Sequence, residues 1–72
     1  MSNALKEVRE KKGLTQDKVA RELNITTRTY QYLESGKINP TIPRALSLAR
    51  ILETPLEILF HEDYSREGVL GK

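Results

Sequence analysis

Cysteine is absent from this chain of 72 residues. Disulfide bonds and thiolate metal sites are therefore excluded, and the composition suits a reducing cytoplasm. The chain also lacks an apolar run of bilayer length, and its N-terminus has no secretory pattern. We therefore expect one small cytoplasmic domain that does not contact a membrane.

Residues that could support catalysis are also scarce. His61 is the single histidine, and its neighbours Glu62 and Asp63 follow it directly, so the three do not converge on one ion. The sequence has no Ser–His–Asp or Cys–His set, and its four glycines are scattered rather than gathered in a phosphate-binding loop. We predict that the protein is not an enzyme and binds no metal or cofactor.

Charge is present in both signs but is unevenly distributed along the chain. Residues 1–50 contain ten Lys or Arg and five Asp or Glu, whereas residues 51–72 contain two and five. The net charges are therefore +5 and −3. Any single charge fits a solvated surface, but this asymmetry favours a polyanionic partner for the first two-thirds of the chain.

Apolar spacing and capping residues predict an all-α fold of five short helices. Apolar residues recur at helical spacing in each segment. Ser2 or Asn3 can cap the first helix, Thr15 and Thr26 can cap the second and third, and Thr41 begins the fourth. Residues 54–57 (Thr-Pro-Leu-Glu) form a capping-box pattern for the fifth. Asn24 can adopt the left-handed conformation that the turn after the second helix needs.

The fifth helix carries more apolar residues than one small helix can bury against its own domain. Its large apolar side chains are Leu56, Ile58, Leu59 and Phe60. Two interpretations stay open: these residues form the contact surface of a homodimer, or they complete the core of the monomer. Residues 1–61 are expected to form the domain, and residues 62–72 a polar tail.

The combination of motifs resembles the phage-repressor or Cro-type helix-turn-helix family, also called the xenobiotic-response-element type. The segments that carry the resemblance are GLTQDKVARELNIT (13–26), YQYLESGK (30–37), PTIPRALSLARIL (40–52) and the following LEILF. It extends from about Leu5 to Phe60 and implies a compact, lambda-repressor-like domain of five helices that binds operator DNA, commonly as a dimer. The sequence departs from the family at Asn24, where many members have Gly, and at Glu53-Thr54-Pro55.

The resemblance also implies a role for individual residues. Base edges would be contacted from the third helix by Thr27, Arg28 and Tyr32, with Gln31 beside them. The DNA backbone would be contacted by Gln16, Thr26 and Lys37. Arg9 and Glu34 would form a structural ion pair between the first and third helices, although Arg9 could also contact a phosphate.

The chemistry of these side chains agrees with the implied roles. Arg28 can donate two hydrogen bonds to guanine, and Thr27 can use its methyl group on thymine or its hydroxyl on a phosphate. Tyr32 could contact a base or a phosphate, or could instead be half-buried against Lys37 and Pro40. Tyr30 is expected in the core.

We therefore predict a sequence-specific regulator of transcription, a repressor, that binds a palindromic operator in double-stranded DNA as a homodimer. The alternative is a protein-interaction module on the same scaffold, such as an antitoxin. In that case the acidic residues 62–67, with Val69 and Leu70, would fold on a protein partner.

Overall fold

The computed structural model describes residues 3–60, which form five α-helices and no strand. The helices are α1 (Leu5–Lys11), α2 (Gln16–Leu23), α3 (Thr27–Ser35), α4 (Ile42–Ile51) and α5 (Leu56–Leu59). The predicted all-α class is confirmed. Among these residues no helix is long and apolar enough to cross a membrane. Residues 1–2 and 61–72 lie outside the described residues. The predictions made for Ser2, for His61 with its acidic neighbours, and for the tail at 62–72 therefore stay predictions.

Threonine side chains cap α2 and α3 as predicted, and a threonine side chain also caps α4. Thr15, Thr26 and Thr41 each accept a hydrogen bond from the backbone N–H three residues further along the chain. Each bond satisfies one of the N–H groups that a helix start leaves without a partner. At the start of α1, Asn3 Oδ1 accepts from the N–H of Leu5 over 3.0 Å. The N-cap of α1 is nevertheless Ala4, which makes no side-chain capping bond, so the prediction that Asn3 occupies the cap position is wrong.

The capping box predicted for α5 is wrong. Pro55 is the N-cap of this helix and makes no side-chain capping bond. Thr54 Oγ1 instead donates to the carbonyl of Leu52 over 2.8 Å. The reason lies in the preceding turn, where Glu53 has a left-handed backbone with φ of 52°. This turn leaves the carbonyl of Leu52 within reach of the threonine hydroxyl, and the backbone of α5 begins after it.

The core collects side chains from all five helices. α2 packs against α3 and α4, and α5 packs against α4. The buried apolar residues are Leu5, Val19, Ala20, Tyr30, Leu33, Ala45, Leu48, Leu52, Leu59 and Phe60. Close packing of these helices gives α2 and α3 a fixed relative position, which a helix-turn-helix needs in order to present one helix to DNA.

Two of the four residues predicted for a dimer interface are in this core. Leu59 and Phe60 are fully buried within the single chain. The backbone N–H of Ala4 also donates to the carbonyl of Leu59 over 3.0 Å, which fixes α5 against the start of α1. Placing Leu59 and Phe60 on a contact surface is therefore wrong, and the alternative of a completed monomer core is right for them. Ile58 remains 56% exposed and Leu56 is partly buried.

The turn between α2 and α3 depends on Asn24. Its φ of 63° and ψ of 40° place it in the left-handed region, as predicted, and its N–H bonds to the carbonyls that end α2. Ile25 follows, with its N–H bonded to the carbonyl of Ala20 over 3.0 Å and its side chain packed against the core. A single residue thus sets the direction in which α3 leaves the turn.

Substitution of Asn24 should reveal this backbone requirement. Asn24→Val should lower the free energy of unfolding by roughly 1–2 kcal/mol, because a β-branched residue is strained in the left-handed region. Asn24→Gly should stay within about 0.5 kcal/mol of the wild type, because glycine adopts this conformation without strain. Urea denaturation followed by circular dichroism would measure both, and equal midpoints for the two variants would contradict the prediction.

Candidate nucleic-acid interface

The four residues predicted to contact bases share one face of α3. They are Thr27, Arg28, Gln31 and Tyr32, and their spacing of i, i+1, i+4 and i+5 places them side by side on a helix. The opposite face carries Tyr30 and Leu33, which are buried. α3 is therefore fixed to the core on one side and presents polar and aromatic groups to solvent on the other.

Arg28 has no intramolecular partner for its guanidinium among residues 3–60. The other arginines near the helix-turn-helix differ in this respect. Arg9 is paired with Glu34, and Arg21 with Asp17. Arg28 is also exposed, so both edges of its guanidinium are available for a ligand. A free arginine at the start of a helix suits bidentate binding to guanine in the major groove.

Tyr32 and Lys37 lie next to each other. The Nζ of Lys37 is 5.5 Å from the centroid of the Tyr32 ring, a cation–π distance. The N–H of Lys37 also donates to the carbonyl of Tyr32 over 2.9 Å. Tyr32 is 37% exposed, so the lysine covers part of the ring and leaves the rest open to solvent. Tyr32, which is predicted to contact a base, and Lys37, which is predicted to contact a phosphate, thus form one continuous surface patch.

Gln16 links the start of α2 to α3 through both ends of its amide. Its Nε2 donates to Glu34 Oε1 over 2.9 Å, and its Oε1 accepts from Gln31 Nε2 over 3.1 Å. These bonds position the two helices relative to each other, a role that the sequence did not indicate. One N–H of the Gln16 amide remains for a phosphate, because an amide nitrogen carries two protons.

The predicted ion pair between Arg9 and Glu34 is present. Arg9 Nε and Nη2 both donate to the Glu34 carboxylate, and Nη1 donates to the carbonyl of Leu14 over 2.7 Å. Burial acts to raise the pKa of Glu34, but the hydrogen bonds from Arg9 and Gln16 outweigh it and hold that pKa below its ordinary value. The carboxylate is therefore charged at neutral pH and links α1, α2 and α3.

Tyr30 is a core residue, as predicted. Burial, followed by interaction with Glu34, raises the pKa of its phenol far above the ordinary value of 10.0. The side chain is therefore neutral at physiological pH. Its burial fixes the inner face of α3 against the core.

Two further residues at the helix starts have defined partners. Thr26 accepts from the N–H of Thr29 and donates to Thr29 Oγ1 over 2.9 Å, so its capping role is confirmed, while a contact with the DNA backbone stays a prediction. Asp17 accepts hydrogen bonds from Thr27 and Arg21. The only signal for Asp17 in the sequence was its place beside Gln16 at the start of α2.

Comparison with known proteins agrees with this geometry. The model of the helix-turn-helix family matches residues 5–59. One uncharacterized HTH-type transcriptional regulator of Archaeoglobus fulgidus is 35% identical over 60 residues, which are 83% of this chain and 86% of that protein. One from Methanocaldococcus jannaschii is 33% identical over 64 residues, which are 88% and 97% of the two chains. The chain therefore belongs to the helix-turn-helix family of the phage-repressor and Cro type.

Proposed function

We propose that this transcriptional regulator is a repressor that binds a palindromic operator in double-stranded DNA as a homodimer. The observation that carries the proposal is Arg28, whose guanidinium has no partner within residues 3–60 and projects from the face of α3 that also bears Gln31 and Tyr32. Donors on the exposed face of a helix at this position match base edges in the major groove. Occupying an operator that overlaps a promoter is sufficient for repression.

In this proposal, one set of residues selects the DNA sequence and another set orients the domain on the DNA. Thr27, Arg28 and Tyr32 contact base edges, with Gln31 beside them. Gln16, Thr26 and Lys37 contact phosphates, which fixes the orientation of the domain without selecting a sequence. The excess of positive charge in residues 1–50 attracts the DNA backbone.

Selection of bound sites from a pool of random duplex DNA tests the proposal. We expect enrichment of one palindromic motif whose half-sites are centred about 10 base pairs, or roughly 34 Å, apart. Binding to the enriched duplex should weaken with salt on a linear log–log plot, as phosphate contacts require. A pool that shows no enriched sequence would contradict specific DNA binding, and an enriched motif without a two-fold repeat would contradict the palindromic operator.

The homodimer requires an exposed apolar contact, which α5 still offers after the correction to Leu59 and Phe60. Ile58 is 56% exposed, and Leu56, two positions earlier on the helix, is partly buried. On α4, Ile42 and Leu46 are also exposed and lie one turn apart, with Ile42 at 60%. We assign the dimer contact to α5, with Ile58 at its centre, because Ile58 is exposed and α5 is the helix on which the sequence indicates an excess of apolar residues.

Ile58→Lys should weaken dimerisation at least tenfold, because a lysine at an apolar contact has to be desolvated on association. Analytical ultracentrifugation over a concentration series would measure the effect. Ile42→Lys is the matched control, since it makes the same change at a similarly exposed isoleucine on α4. Dissociation by Ile42→Lys but not by Ile58→Lys would move the interface to α4.

A further inference from the structure

Asp17 joins the start of α2 to the first turn of α3. Thr27 Oγ1 donates to Asp17 Oδ1 over 2.7 Å, and Arg21 Nη2 donates to Asp17 Oδ2 over 3.0 Å. The bond from Thr27, supported by the charge of Arg21, lowers the pKa of Asp17. The side chain is therefore a carboxylate at neutral pH, and a carboxylate only accepts hydrogen bonds.

This arrangement restricts what Thr27 can do on DNA. A threonine hydroxyl has one proton, and in this structure that proton is donated to Asp17. Thr27 therefore cannot at the same time donate to an acceptor on a base. A threonine in a helix also divides between two χ1 rotamers, and the bond to Asp17 selects the one that directs Oγ1 toward α2. The hydroxyl oxygen keeps only its capacity to accept a hydrogen bond, and the methyl group is the apolar part of the side chain that is left for a contact with a base.

We propose that Asp17 is a positioning residue that sets the base preference of Thr27, so that Thr27 contacts thymine through its methyl group. Thymine is the base that presents a methyl group in the major groove. The proposal rests on the proposed function, because it takes Thr27 to reach a base edge. Arg21 has a supporting part, since its charge offsets that of Asp17 near the DNA phosphates.

Replacement of thymine by deoxyuridine in the selected operator tests the proposal, because the two bases differ only in the methyl group. At one thymine position in each half-site, replacement by deoxyuridine should weaken wild-type binding about three- to five-fold. The ratio of the affinity for the thymine duplex to that for the deoxyuridine duplex is the quantity to compare among variants. Asp17→Ala should lower this ratio to about two, because an unrestrained threonine divides between two rotamers and only one of them presents the methyl group to the base. Asp17→Asn should keep it, because the amide oxygen still accepts the proton of Thr27. The two variants remove the same charge, so an effect on phosphate repulsion is common to both.

Substitutions of Thr27 complete the design. Thr27→Val keeps a methyl group and strongly prefers one rotamer in a helix, so it should retain the ratio, with or without Asp17→Ala. Thr27→Ser should give a ratio near one. Equal ratios for Asp17→Ala and Asp17→Asn, or loss of the ratio in Thr27→Val, would overturn the proposal. An enriched operator without a methyl-dependent thymine would overturn this inference alone, whereas a pool without enrichment would overturn the proposed function as well.

Discussion

Glu34→Ala is expected to lower the free energy of unfolding by about 3 kcal/mol, because it leaves the guanidinium of Arg9 buried without its partner. The side chains of Arg9 and Glu34 are only 9% and 5% exposed. Gln16 would lose an acceptor in the same step. At roughly 0.05–0.15 kcal/mol per residue, a domain of this size has about 4–11 kcal/mol of stability in total, so the substitution should remove a large part of it. Urea or thermal denaturation would measure the loss.

Glu22→Ala is the matched control for this prediction. It makes the same substitution and breaks an ion pair, with Lys18, but both side chains are about half exposed. The expected change is within about 0.5 kcal/mol, as for most surface ion pairs on a helix. Similar losses for the two variants would contradict the view that burial makes the pair of Arg9 and Glu34 important for stability.

The pH dependence of the same variant gives a second measurement. The pKa of Glu34 is lower in the folded chain than its ordinary value of 4.5. A carboxyl with a lowered folded pKa contributes its stability above the unfolded pKa, and that contribution is lost as pH falls through the folded pKa. The difference in unfolding free energy between wild type and Glu34→Ala should therefore be full at pH 7 and begin to shrink below about pH 4.5. A difference that grows on acidification would contradict this assignment.

Local patterns in the sequence predicted the parts of the fold that depend on neighbouring residues. The threonine caps of α2 and α3 each act over three residues, and the left-handed turn at Asn24 is a property of one residue. The same local reasoning failed at α5. Whether Thr54 caps a helix there depends on the conformation of Glu53 and on a carbonyl that the preceding turn exposes.

Features that join distant parts of the chain could not be predicted from spacing. Burial of Leu59 and Phe60 depends on packing of α5 against α4 and on a bond to Ala4 at the other end of the domain. In the candidate site, the hydrogen bonds that Thr27 donates to Asp17 and Gln31 donates to Gln16 cross from α3 to α2. They require a particular angle between the two helices, which apolar periodicity does not specify. The pair of Arg9 and Glu34 was predicted because the family resemblance supplied it.

Arg28→Ala is expected to weaken binding to the selected operator by roughly 1–3 kcal/mol, or about five- to 150-fold, because it removes two hydrogen bonds to one guanine. Its effect on folding should be small, since the Arg28 side chain is exposed and has no partner within residues 3–60. Competition binding with duplexes that vary one base pair at a time would measure both affinity and preference. The variant should accept all four base pairs at the position that the wild type reads as guanine.

Arg28→Lys separates charge from hydrogen-bond geometry at the same position. Lysine keeps the positive charge, so binding to unrelated duplexes and its salt dependence should match the wild type. It lacks the planar pair of donors, so most of the preference for guanine should be lost. Lys37→Ala provides the contrasting case, because loss of a phosphate contact weakens binding to every sequence by a similar factor. If Arg28→Ala weakened all duplexes equally, Arg28 would be a phosphate contact, and Gln31 and Tyr32 would be left to read the sequence with Thr27.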